Sequence, residues 1–207
     1  MTGGAGETRI ILATRNPGKL AELRRILDAA EVGVTVDDLE DVPDMPEVAE
    51  TGRTFIENAL FKARAVAAFT GLPAVADDSG LCVDALNGMP GVLSARWSGR
   101  HGDDQANLQL LLGQLADVPA DRRQAHFVCA AALVLPSGGE HVTEGAVHGR
   151  LTDAPRGSNG FGYDPIFVPD GHQQTTAELS PAEKDKISHR GRALRALAPV
   201  IAALLGR

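Results

Sequence analysis

The sequence predicts an α/β fold carried in a single domain, on three observations. Apolar runs of strand length alternate along the chain with segments whose apolar residues recur at three- and four-residue steps. Between Arg9 and Val36 the order strand, turn, helix, strand reads as a βαβ unit. The 207 residues are 43% hydrophobic and 23% charged, enough for a proper core and unlike a disordered chain.

Each element has a local reason. Arg9–Ala13 is a short apolar strand, and Thr14–Gly18 a turn of Asn, Pro and Gly. Lys19–Ala30 follows as a helix, with Leu20, Leu23, Leu27 and Ala30 on one face, and Val32–Val36 as the next strand. Asp37–Glu50 holds seven acids, no base and two prolines, and is a loop. Thr54–Phe69 is a helix, with Thr54 and Glu57 at capping-box spacing. Pro73–Asp77 and Leu81–Leu86 read as two strands separated by the polar stretch Asp77–Gly80, and Asn87–Gly102 as a glycine-rich loop. Asp103–Ala116 is a helix, and Gln124–Leu135 and Glu140–Leu151 form a hairpin across Pro136–Gly139. After a long loop, Thr152–Tyr163, come a short strand, Ile166–Val168, and a capping box at Ser180. A last helix opens at Ser188 or His189 and runs to about Leu205. Residues 1–8 read as a flexible tail, and residues 9–207 as one domain.

The net charge of −7 argues against a nucleic-acid partner, which needs a dense basic face. No apolar run is long enough to cross a membrane, and the first residues lack the pattern of a signal peptide. The two cysteines, Cys82 and Cys129, sit inside apolar runs and read as buried thiols of a cytoplasmic protein. Of 20 basic residues, 16 are Arg and 4 are Lys: Lys19, Lys62, Lys184 and Lys186. Where Lys persists against that drift, its compact charge is a candidate for function.

Five constellations could carry chemistry. Thr14-Arg15-Asn16-Pro17-Gly18-Lys19, between strand and helix, places backbone N–H groups and a cation where an anion binds. It is not a Walker A loop, because Ala13 and Leu20 stand where that motif needs Gly and Ser/Thr. The paired acids Asp77-Asp78, followed by Ser79, suit a hard cation and a general base, with a capped turn as the alternative. Glu50, just before a helix, is the first choice for a second metal ligand, and Glu47 the second. Phe161-Gly162-Tyr163-Asp164 spends two of a few aromatics in a loop, which suits stacking on a flat base with Asp164 bonded to base or ribose. A staple over the core is the alternative. Ser188-His189-Arg190, with Lys184 one turn earlier, makes a helix start rich in donors. Asn58 and Lys62, four residues apart on a helix, read as helix surface, and the other histidines have no metal-ligand spacing.

Taken in order, Thr14-x-Asn16-x-x-Lys19, Glu50-Thr-Gly-x-Thr-Phe-x-Glu-Asn-Ala, Ala76-Asp-Asp-Ser-Gly-Leu, Gly88-x-Pro-Gly-Val-x-Ser-Ala-Arg, Gly160-Phe-Gly-Tyr-Asp-Pro-x-Phe and Ser188-His-Arg span almost the whole chain. This set resembles the inosine triphosphate pyrophosphatase family, enzymes that hydrolyse dITP, ITP and XTP. The resemblance implies an elongated α/β domain with a mixed central sheet flanked by helices, and two lobes with the nucleotide cleft between them. It implies a homodimer, Mg²⁺, and hydrolysis of a nucleoside triphosphate to the monophosphate and pyrophosphate. By the family's motifs, Thr14, Arg15, Asn16, Pro17, Gly18 and Lys19 hold the triphosphate, Asp78 is general base and metal ligand, and Ser79 touches substrate. Phe161, Gly162, Tyr163, Asp164, Lys184, His189 and Arg190 form the base and phosphate pocket. Arg15, Asn159 and Val147 depart from the residues common in the family at those places. A pyrophosphatase for other modified nucleotides, or a nucleotide-binding sensor without turnover, is the alternative reading.

Overall fold

Six strands form one mixed sheet in the order β2-β1-β3-β4-β5-β6. The computed structural model describes residues 8–206. The strands are β1 (Thr8–Leu12), β2 (Val34–Asp37), β3 (Ala74–Val83), β4 (Gln124–Val134), β5 (Glu140–Leu151) and β6 (Phe167–Pro169). The helices are α1 (Pro17–Ala29), α2 (Phe55–Thr70), α3 (Asp104–Gln114), α4 (Pro181–Ile187) and α5 (His189–Leu205). Of the expected tail, only Thr8 lies within the described residues, and it begins β1.

β1 runs parallel to β2, with Ile10 opposite Val36, and parallel to β3, with Ile11 opposite Ala74. β5 and β6 are antiparallel. Because β1 leads through α1 to β2 on one side while β3 lies on the other, the chain reverses direction at the carboxyl ends of β1 and β3. Open α/β sheets bind ligands at that kind of reversal.

The helix starts obey local chemistry. Asn16 caps α1, its side chain accepting from the Gly18 and Lys19 N–H groups, with Pro17 in the first turn. Helix α1 therefore opens two residues earlier than the apolar spacing suggests. Thr54 caps α2 through the Glu57 N–H, and the Glu57 carboxylate takes the Arg53 N–H instead of closing the box on Thr54. Ser180 and Glu183 make both bonds of a capping box on α4.

The expected break at Asp77–Gly80 is absent: β3 runs unbroken through it. β3 lies between β1 and β4, and its pairing with β1 is at Ala74 and Val75, ahead of the acids. Its two carboxylates find side-chain partners on other elements, so the strand need not turn them out to water.

Internal contacts divide the chain into two compact units: residues up to Asp78 with Ala130–Glu144 and the chain from Gly191, and Ser79–Cys129 with Gly145–Arg190. In the first, Ala59, Ala63, Val66 and Ala67 of α2 pack on Ala74 and Ala76 of β3 and on Ala130 and Ala132 of β4. Small residues on both surfaces bring helix and sheet close together, which seats the polar end of α2 beside β3. In the second, Leu81, Leu108, Leu111, Tyr163, Ile166 and Phe167 form the core. Among the described residues no helix is long and apolar enough to cross a membrane. Cys129 is buried, Cys82 is half-buried, and the two are not joined in a disulfide.

Candidate active site

In the first unit, β1, β3 and α2 bring together charges that are distant in sequence. Asp77 and Asp78 are adjacent on β3 and both are buried. Lys19, on the first turn of α1, donates from Nζ to Asp77 Oδ1 and Oδ2 at 3.1 and 2.9 Å. Asn58 Nδ2 donates to Asp78 Oδ2 at 2.9 Å. Lys62 lies one turn further along α2, with Nζ 2.7 Å from Glu50 Oε1 and 3.8 Å from Asp78 Oδ1. The spacing of four residues puts the Asn58 amide and the Lys62 ammonium on the same helix face. The reading of these two as helix surface is therefore corrected: they point at the acids. The scarcity of lysine was the sequence signal for Lys62. For Asn58 the signal was its place in the motif Glu50-Thr-Gly-x-Thr-Phe-x-Glu-Asn-Ala, with no pattern that names its partners.

The electrostatics follow from that crowding. Burial pushes the Asp78 carboxyl above the ordinary range; Lys62 and the Asn58 hydrogen bond pull it back, and Glu50 and Asp77 add to the rise. Burial alone would lower the Lys62 ammonium, but Asp78, Asp77 and Glu50 outweigh it and hold the group above its usual value.

The residues fit a divalent cation of one kind. Glu50 and Asp78 already converge on one positive charge, the Lys62 ammonium. Among the described residues no group of three or more His, Cys, Asp or Glu is placed to hold a metal alone. One or two carboxylates, completed by water and substrate phosphate, is the donor set of Mg²⁺ rather than of a closed structural site. Glu47 is exposed, so Glu50 is the acid that shares the site with Asp78.

The Thr14–Lys19 turn is more self-contained than the sequence suggested. Thr14 Oγ1 accepts from the Asn16 N–H, and Asn16 Oδ1 takes the N–H groups of Gly18 and Lys19. Arg15, Pro17 and Gly18 stay on the exposed side. The short polar side chains thus shape the turn, and Lys19 supplies its inward charge.

In the second unit the aromatic loop is organised by Asp164. This carboxylate is 5% exposed. Its Oδ1 accepts from the Thr176 hydroxyl at 2.8 Å, and its Oδ2 from the Phe161 N–H at 2.8 Å and from Lys184 Nζ. Both oxygens accept bonds inside the protein, so the carboxylate holds the loop whether or not it also meets a base or ribose. Tyr163 is likewise a core residue, 4% exposed, donating its hydroxyl to the Ser94 carbonyl at 2.9 Å. Burial, with Asp104 nearby, raises the Tyr163 phenol well above its usual value. The expectation that its ring meets substrate is corrected by that burial. Gly162 donates its N–H to Asp104.

Phe161 is the aromatic left in the open, 55% exposed. Lys184 Nζ stands 5.0 Å from its ring centre and the Arg190 guanidinium 6.0 Å. Arg190 also donates to Ser79 Oγ at 3.3 Å. His189, the first residue of α5, stacks on Phe127 at 4.8 Å with planes 9° apart. A small recess beside it is lined by Phe127, Asp164, Thr176, Lys184 and Ser188. A flat ring, two cations and a fixed imidazole make a surface suited to an electron-rich, oxygen-bearing heterocycle.

Known proteins resemble this chain over nearly its whole length. A sequence model of the Ham1 family matches residues 10–200. The chain is 62% identical over 201 residues to the dITP/XTP pyrophosphatase of Streptomyces avermitilis, covering 96% of this chain and all of that one. A crystal structure of the nucleoside-triphosphatase / dITP/XTP pyrophosphatase from Mycobacterium abscessus is 61% identical and superimposes with a TM-score of 0.78, covering 93% of this chain and 100% of that one. A HAM1 protein from Coxiella burnetii, 42% identical, superimposes with a TM-score of 0.87 over 95% of this chain and 99% of that one. With a family match that reaches from β1 into α5, the chain belongs to the Ham1 family.

Proposed function

We propose that this protein hydrolyses non-standard purine nucleoside triphosphates, dITP, ITP and XTP, to the monophosphate and pyrophosphate, and so cleanses the cytoplasmic nucleotide pool. The observation that carries the reading is Asp78. It is a buried carboxylate held by Asn58, set beside Glu50 and Lys62, and adjacent to the Lys19–Asp77 pair at the end of the parallel strands. Relatives at about this chain's full length carry the name dITP/XTP pyrophosphatase.

In this reading Asp78 takes the proton from the water that attacks the α-phosphorus. The bond to the β-phosphate oxygen breaks, and Lys19 steadies the departing pyrophosphate. Glu50 and Asp78 would hold Mg²⁺, which when bound neutralises phosphate charge and polarises the P–O bonds. Phe161 stacks on the base, and His189 and Arg190 donate to the 6-oxo group of hypoxanthine or xanthine. Adenine presents a 6-amino donor there, and a site built on hydrogen bonding rejects such a mismatch by about 10⁴-fold. Ser79 and Lys184 complete the pocket, and the working form is a homodimer.

The test is pyrophosphate release from ITP, XTP, dITP, GTP and ATP, with Mg²⁺ and with EDTA. Metal-dependent release from the first three, with little from ATP, supports the proposal; GTP shares the 6-oxo group, and its rejection would need a further device. Equal release from all five overturns the account of the base, and no release from any overturns the hydrolytic reading.

A further inference from the structure

Asn58 is fully buried and uses both ends of its amide. Nδ2 donates to Asp78 Oδ2 at 2.9 Å. Oδ1 accepts the Gly52 N–H at 2.7 Å. Gly52 lies two residues after Glu50, so one side chain ties the strand that carries Asp78 to the segment that carries Glu50. The fit leaves no slack. A Cβ added at Gly52 would fall 2.6 Å from Asn58 Oδ1, 2.8 Å from Glu57 Cβ and 3.0 Å from the Asn58 backbone nitrogen. Such contacts are shorter than packed atoms tolerate, so glycine at 52 is what lets the amide reach the backbone there. Asn58 itself sits in the first turn of α2, whose alanine face is packed on β3 and β4, so the amide is held by a rigid element.

We propose that Asn58 is a positioning residue: its amide fixes the Asp78 carboxylate and the Glu50 segment in one frame, so that the two acids meet a divalent cation together. This rests on the reading of Asp78 as base and metal ligand. Asn58 touches neither substrate nor cation in this scheme and acts through the two acids. Two carboxylates that repel each other drift apart unless something holds them, and a neutral amide does so without adding charge to the site. An aspartate at 58 would set a third carboxylate against the pair, and a leucine would leave the Gly52 N–H and one Asp78 oxygen without this partner.

The experiment compares the full-length wild type with Asn58→Ala, Gly52→Ala and Asp78→Asn. Gly52→Ala perturbs the amide without replacing Glu50 or Asp78, although its Cβ also crowds Glu57 Cβ. Three quantities are read: thermal melting, Mn²⁺ binding without nucleotide followed by the electron paramagnetic resonance of free Mn²⁺, and kcat and KM for ITP at saturating metal. Losing a residue that orients metal ligands lowers metal affinity or turnover by about 10–100-fold. Asn58→Ala and Gly52→Ala should both melt cooperatively, bind Mn²⁺ about tenfold or more weakly and lose kcat in that range, with KM for ITP moved far less. Wild-type kcat and Mn²⁺ affinity in Asn58→Ala overturn the proposal, as does a rise in KM alone. If Asn58→Ala does not fold, Gly52→Ala decides on the same readouts. If neither folds, Asn58 belongs to the fold rather than to the positioning of the acids, and the proposal fails. Asp78→Asn that keeps normal turnover brings down the reading of Asp78 itself, whatever the other variants do.

Discussion

Replacing Asp164 by alanine should unlock the aromatic loop, and the size of the effect can be worked out. The substitution takes the acceptor from the Thr176 hydroxyl and the Phe161 N–H, and the counter-charge from Lys184. Breaking a buried ion pair from one side costs about 3–5 kcal/mol. Lys184 keeps 19% of its side chain in solvent, which favours the low end of that range. At about 2–4 °C per kcal/mol for a chain of this size, about 3 kcal/mol lowers Tm by about 6–12 °C. KM for ITP should rise with it, because Phe161 loses its tether. Gly160 gives a second handle on the same carboxylate: an added Cβ would lie 2.2 Å from Asp164 Oδ2, at a backbone φ of +76°. Gly160→Ala therefore carries a steric part and a backbone-strain part, the latter about 1–2 kcal/mol. With Asp164 already alanine the two shortest contacts vanish and only the flexible end of Lys184, 3.0 Å away, remains, so the double variant should be less destabilised than the sum of the singles. The assay is a circular dichroism melt of all four proteins, with KM measured beside it. A melt of Asp164→Ala within about 2 °C of wild type, or strict additivity in the double variant, would refute the role given to this carboxylate.

Further predictions test neighbouring claims. Tyr163→Phe leaves the Ser94 carbonyl unpaired and should cost about 1–3 kcal/mol in a denaturant melt. It should also leave KM for ITP unchanged, since the ring lies in the core; a large KM effect would return Tyr163 to the binding surface. Lys19→Met removes the partner of buried Asp77, so Tm should fall along with kcat/KM; a loss of activity with no change in Tm would mean that the pair contributes nothing to the fold. Ser180→Ala should cost about 1 kcal/mol through the lost cap, read by melting temperature. The Glu183 carboxyl is held below its usual value, first by the Ser180 side chain and then by its backbone. A lowered folded value makes this contribution present above the unfolded carboxylate range and lost as pH falls through the folded one. The difference in Tm between wild type and Ser180→Ala should therefore shrink in acid; a gap that widens there would contradict the box.

The helices were legible because each announces its start. Asn16, Thr54 and Ser180 are short hydrogen-bonding residues ahead of periodic apolar runs, and all three cap as their chemistry directs. The strand through Asp77–Gly80 was not legible, because a charged pair looks like a turn until its partners are known. Those partners, Lys19 and Asn58, stand 58 and 20 residues away, and no local pattern links them. The aromatic loop misled in the same way. Composition marked Phe161 and Tyr163 alike, but only the folded chain separates a ring covered by Leu81 and Ile166 from one left in water. The internal partners of Asp164 were not legible either, since a carboxylate's use depends on which donors surround it. The lysine skew proved informative: Lys19, Lys62 and Lys184 each lie against a carboxylate in one of the two clusters.

Those carboxylates mean that the resting protein carries its own counter-anions. In the proposed reading, a polyphosphate reaching Lys19 would compete with Asp77, and one reaching Lys62 with Glu50. Each exchange strands a negative charge in a poorly solvated place, which costs several kcal/mol unless something positive takes over. A free anion brings nothing to offset that loss, whereas a ligand arriving with its own divalent ion does. If the proposed phosphate site is right, these ion pairs would favour a polyphosphate already neutralised by a divalent ion over a bare anion.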